Sequence, residues 1–130
     1  MPSKQHNSST LATQGGQEII WRKKANIHEE YFGHKIDLEG YVEVTKDSDG
    51  YYLGAAINGF EKQVDLTQNQ CLTLGLGAKL GVSLSGSLNI CANNVGSGNI
   101  GEVTTELCAT IIAVEKCVVI KELSDKNIRF

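Results

Sequence analysis

LTLGLGAKLGVSLSGSLNICA, residues 72–92, carries an apolar side chain at nearly every second position. Leu72, Leu74, Leu76, Ala78, Leu80, Val82, Leu84, Leu88, Ile90 and Ala92 fill the even positions, with Gly86 the one gap. The odd positions are small or polar: Thr73, Gly75, Gly77, Lys79, Gly81, Ser83, Ser85, Ser87 and Asn89. Side chains alternate between the two faces of a strand, so this period of two is a β signal with a single apolar face. As one strand, at about 3.3 Å per residue, the stretch would reach roughly 70 Å, so it must fold back. Parity is unchanged along it, which requires a loop with an odd number of residues. Ser85-Gly86-Ser87 has the better turn chemistry. A reversal centred on Gly81 is the alternative, and it would set Cys71 opposite Cys91.

Working outward, the segment before it also alternates. Ile36, Leu38, Val42 and Val44 are apolar, with Asp37, Glu39, Tyr41 and Glu43 between them. Lys46-Asp47-Ser48-Asp49-Gly50 is a turn cluster. Tyr51, Leu53, Ala55 and Ile57 then continue the apolar series on odd positions. A four-residue loop would set Val44 against Tyr51, Val42 against Leu53 and Leu38 against Ile57. Asn58-Gly59 is a strong hairpin signal, because both turn residues tolerate positive φ. It pairs Phe60 with Ile57, Val64 with Leu53 and Leu66 with Tyr51. The result is a three-stranded antiparallel meander with one apolar face.

The flanks read less uniquely. Ile100, Val103, Leu107, Ile111 and Val114 fit a helix stripe, while Val103, Thr105, Leu107, Ala109, Ile111 and Ala113 fit a strand; the density of Val, Thr and Ile favours the strand. Val118-Val119-Ile120 reads as a buried strand. In residues 17–32, Ile20, Ile27 and Tyr31 stand at near-helical spacing and Gly33 follows, which predicts a short amphipathic helix; a strand through Glu18–Trp21 is the alternative. Residues 1–16, rich in Ser, Thr, Gln and Asn, read as a disordered polar arm. The expected fold is all-β, a single domain over residues 17–130. It is an antiparallel meander of about seven or eight strands forming a small sandwich or barrel, with a short N-terminal helix. An α+β version with a helix near residues 101–115 is the runner-up.

With 130 residues and a net charge of −3, the chain can bury a core and lacks the Lys/Arg stripe that a nucleic-acid binder needs. Met1–Thr10 is polar, with no apolar leader core behind it, and no run of about 18 apolar residues predicts a membrane-spanning helix. The cytoplasm is therefore the expected compartment, with Cys71, Cys91, Cys108 and Cys117 as small, buried or half-buried reduced thiols. None of the four forms a CxxC pair, and His6, His28 and His34 lie far from them, so no metal site is expected.

Gly96-Ser97-Gly98-Asn99-Ile100-Gly101 matches GxGxxG, but about 30 residues remain after it, too few to complete a dinucleotide-binding sheet. It reads as a surface loop. His28 and His34 read as solvated histidines, and no histidine pairs with a Ser or Cys nucleophile. Neither an enzyme nor a cofactor is expected. The best candidate site is the meander face turned away from the core: Asp37, Glu39, Tyr41, Glu43, Tyr52, Glu61, Gln63 and Asp65, with Gly54 and Ala56 as a shallow floor. Acids steer association and tyrosines supply contact area. The expected function is a non-enzymatic interaction or assembly module, inhibitor- or immunity-like, that docks a basic protein partner or a second copy through this face or a free edge strand. The alternatives are a membrane-inserting hairpin with Leu80-Gly81-Val82 at its tip and a small barrel carrying an apolar ligand.

Overall fold

Two antiparallel sheets share one core. The computed structural model describes residues 17–76 and 85–130. The first sheet is a meander of β1 (Glu18–Tyr31), β2 (His34–Asp47), β3 (Gly50–Ile57) and β4 (Phe60–Leu66). The second has the order β5 (Gln70–Gly75), β6 (Ser85–Asn93), β7 (Ile100–Ile111) and β8 (Val114–Val119), and β9 (Asp125–Arg129) pairs with the start of β7. A single 3-10 turn, Lys121–Leu123, leads into β9. Val42, Leu53 and Ile57 of the first sheet and Leu72, Leu88, Ile90 and Leu107 of the second belong to one buried cluster. The sheets stay separate and do not close into a barrel. Nine strands are present among the described residues, against the expected seven or eight, and none of those residues forms a helix able to cross a membrane. The polar arm and the Leu80-Gly81-Val82 tip lie outside the described residues.

The chief correction is at the N-terminus. The segment read as a helix is β1, paired with β2 from Glu18↔Lys46 to Tyr31↔His34 with one bulge between Ile19 and Trp21. Ile27 and Tyr31, four apart, share a face in a strand as well as in a helix, so local spacing did not discriminate. The partner decided it: the first half of β2 extends beyond β3 and needs a second strand to hydrogen-bond. Phe32 and Gly33, both at positive φ (53° and 81°), close the hairpin.

The β2–β3 register differs from the expectation by two residues: Val44 faces Leu53 and Val42 faces Ala55. The loop is Ser48-Asp49 alone, tightened by the Asp49 N–H donating to Asp47 Oδ1 at 2.8 Å. An even shift leaves every side chain on its face. The β3–β4 register is as expected, Leu53↔Val64 and Ile57↔Phe60, with Asn58 and Gly59 at φ 46° and 91°. Residues 100–111 are extended, so the α+β alternative falls.

In the long alternating stretch, Cys71 pairs with Cys91 and Gly75 with Ser87, and the Leu76 N–H donates to the Gly86 carbonyl at 2.9 Å. β5 and β6 are therefore paired antiparallel as far as Leu76 and Gly86, and the alternative reversal centred on Gly81 lies outside the described residues. Ser85-Gly86-Ser87 is strand, held against Thr110, Ala109 and Cys108 of β7. The cysteines are also not free thiols: Cys71–Cys91 and Cys108–Cys117 are disulfides. Each links directly opposed residues of neighbouring strands, where Cβ atoms already lie about 5 Å apart.

Polar contacts fix how the sheets lie. Trp21 Nε1 donates to Asp125 Oδ2 at 3.0 Å, and the Tyr51 and Phe130 rings meet edge-on at 5.3 Å. The β2–β3 turn therefore sits at the β9 end of the second sheet. Toward the opposite end, the Tyr31 hydroxyl donates to the Leu107 carbonyl at 2.6 Å. Burial, with Glu29 and Glu106 nearby, pushes that phenol up to about 12.

Candidate interaction face

Alternation in the first sheet sets the expected residues on one face, in rows across the strands. His28 faces Asp37 and Asn26 faces Glu39. Lys24, Tyr41, Ala56 and Glu61 form the next row; Arg22, Glu43, Gly54 and Gln63 another; Thr45, Tyr52 and Asp65 the last. The pairing thus brings Asp37, Glu39, Tyr41, Glu43, Tyr52, Glu61 and Asp65 onto one surface. It also brings Arg22, Lys24 and His28 there. Arg22 and Lys24 were missed because residues 17–32 were read as helix; a strict count of alternate positions in Arg22-Lys23-Lys24 would have found both.

The face is not a flat acidic plate. Arg22 Nε lies 3.7 Å from Glu43 Oε1, and its guanidinium stacks 4.2 Å above the Tyr41 ring. Glu43 is only 2% exposed. It lies over Gly54, where a Cβ would sit 3.6 Å from Glu43 Cγ. Burial raises the Glu43 pKa against the pull of Arg22, and Glu61 adds to the rise. Burial, Glu43 and Glu61 raise Tyr41 likewise. His28 Nδ1 and Asp37 Oδ1, both exposed, are 2.6 Å apart. The Glu39 N–H donates to Asn58 Oδ1 at 3.0 Å, which ties this residue to the β3–β4 turn. Tyr52, expected to offer contact area, is buried, and its hydroxyl donates to Asp47 Oδ1 at 3.0 Å.

Charge compensation is therefore uneven. Lys24 and Arg22 of β1 stand opposite Tyr41 and Glu43, and His28 stands opposite Asp37, whereas Glu61 and Asp65 are exposed and face Ala56 and Tyr52. Beside the last row is a depression of about 720 Å³ whose described lining includes Gln17, Asp49, Tyr52, Gln63, Asp65 and Thr67. Gln17 Oε1 and Gln63 Nε2 are buried without a hydrogen-bond partner, an acceptor and a donor both unmet. Buried polar groups left unpaired are costly, and each calls for an explanation.

Other groups carry less. Glu106, Cys108 and Cys117 place ligand atoms within 4.8 Å of one another, but the two sulfurs are bonded to each other and offer no thiolate. The GxGxxG loop runs into β7, a strand, so it presents no helix N-terminus to a phosphate. No protein-family model matches the chain, and no curated protein or solved structure is detectably similar to it.

Proposed function

We propose that this chain is a non-enzymatic interaction module that binds a basic segment of a protein partner at the β3–β4 side of the first sheet, through Glu61, Gln63 and Asp65. The carrying observation is the depression beside the last row, with its unmet amide donor and acceptor next to an exposed carboxylate. A Lys or Arg side chain donates to Gln17 Oε1 and to Asp65, while Gln63 Nε2 donates to a carbonyl of the bound segment. Glu61 and Asp65 steer the approach. The acids nearer β1 contribute less, since Glu43 is buried against Arg22 and Asp37 is already in contact with His28. Two disulfides are at home in an oxidising compartment, so such a compartment, rather than the cytoplasm, is where we place this module.

Binding of a fluorescein-labelled decalysine peptide, read by anisotropy, tests the reading. Glu61→Lys with Asp65→Lys is expected to weaken binding by about tenfold or more, and Glu39→Lys by no more than about twofold. Equal affinity in all three proteins would sink the proposal. Native mass spectrometry of the chain from its own host then identifies the partner.

A further inference from the structure

We infer that the β7–β8 turn is a lipid-contacting tip that enters the interface of a bilayer. The turn consists of Ile112 and Ala113, between the facing pair Ile111 and Val114. Two-residue hairpin turns need left-handed φ and are ordinarily made with Asn, Asp or Gly. Asn58-Gly59 follows that rule; Ile112 breaks it, a β-branched residue at φ 55°. Nothing among the described residues compensates. Ile112 is 95% exposed and Val114 56% exposed, so neither packing nor a hydrogen bond of the side chain holds this conformation. A position that defies turn chemistry and gains no contact inside the fold owes its residue to something outside it.

The chemistry of the tip selects the occupant. Ile111, Ile112, Ala113 and Val114 are all aliphatic, with no ring and no side-chain donor or acceptor. A protein pocket is read through aromatic or Arg anchors and satisfied polar groups. A fluid hydrocarbon phase takes a convex aliphatic projection without any of these. Directly behind the tip Thr110 faces Glu115, and the Lys116 ammonium lies over the Tyr31 ring at 5.6 Å. That polar collar limits entry to the turn. Shallow entry also keeps the turn's backbone groups within reach of headgroups and water, which hydrocarbon cannot replace. The tip lies at the end of β7 away from β9, whereas the Tyr52–Asp65 depression lies at the β9 end, so this inference does not depend on the proposed function.

Co-sedimentation of the full chain with neutral phosphatidylcholine vesicles at up to about 10 mM lipid, where an anchor of marginal strength becomes visible, tests it. Wild type is expected to partition onto the vesicles. Ile112→Asn is expected to lower the partition coefficient by about fivefold or more and at the same time to raise the thermal midpoint, because Asn accepts left-handed φ. The opposite signs separate a membrane contact from a structural one. Wild type remaining in the supernatant overturns the inference. So does an Ile112→Asn variant that binds as before, or one that loses stability along with binding. Binding confined to phosphatidylserine-containing vesicles and indifferent to Ile112 also overturns it, as does self-association abolished by the same substitution, which would assign the tip to a second copy.

Discussion

Glu43 shows how the face away from the core is held together, and how its acids differ from one another. Its carboxylate is buried beside Arg22, and burial outweighs the guanidinium, so its pKa in the folded chain is raised. A carboxyl raised on folding favours the protonated native state. Its contribution is fully present below the unfolded value, about 4.3, and is lost as pH rises through the higher folded value. Glu43→Gln removes that titration. Urea unfolding at a series of pH values is expected to show the variant losing less stability than wild type between pH 4 and 7; an equal or steeper loss would refute the burial account. The acidity of this residue was plain in the sequence. Its burial was not, because its neighbours Arg22 and Gly54 belong to other strands and are brought to it by register.

At the scale of elements, turns and close approaches set the register that alternation leaves open. Alternation fixes the face of each strand but not its offset, and the two-residue error at β2–β3 shows that freedom: a loop of Ser48-Asp49 in place of four residues keeps every face and moves every partner. One position pins the offset. A Cβ on Gly40 would overlap the Ala56 carbonyl oxygen and the Ile57 side chain, so β2 and β3 meet there as closely as a glycine permits. Gly40→Ala must part the strands, and we expect a loss of about 2 kcal/mol or more in urea unfolding. Gly75→Ala, whose Cβ meets nothing within 4 Å, is expected to stay within about 0.5 kcal/mol of wild type. Similar costs at the two sites would show that steric approach is not what Gly40 provides. Asn58-Gly59 was legible from sequence because its residue types meet the demand of the turn. Phe32-Gly33 and Ile112-Ala113 were not, since Phe and Ile resist the conformation they adopt.

For the whole molecule, the two disulfides stiffen the second sheet while packing joins it to the first. In the chain-entropy view, the Cys71–Cys91 bridge, with a separation of 20 residues, contributes about 3 kcal/mol, and Cys108–Cys117, with a separation of 9, about 2.5 kcal/mol. Replacing each pair by serine is expected to destabilise in that order, read by urea unfolding under non-reducing conditions; no loss from either replacement would mean that the bridges do not restrain the unfolded chain. The chain's own patterning determined the all-β class, the apolar face of most strands and the Asn58-Gly59 hairpin, whereas residues 103–114 fit a helix stripe as well as a strand, and the pairing of β7 with β6 and β8 decides between them. The first three follow from period-two patterning or from the local chemistry of a turn, which neighbours along the chain suffice to specify. Tertiary structure alone decided that residues 18–31 form a strand, that the cysteines meet in pairs, and that Arg22 pairs with Glu43 and His28 meets Asp37 on one side of the acidic face while Glu61 and Asp65 remain exposed on the other. Those outcomes rest on which residues stand opposite one another across strands, a matter of register and partner choice that no local window of the chain contains.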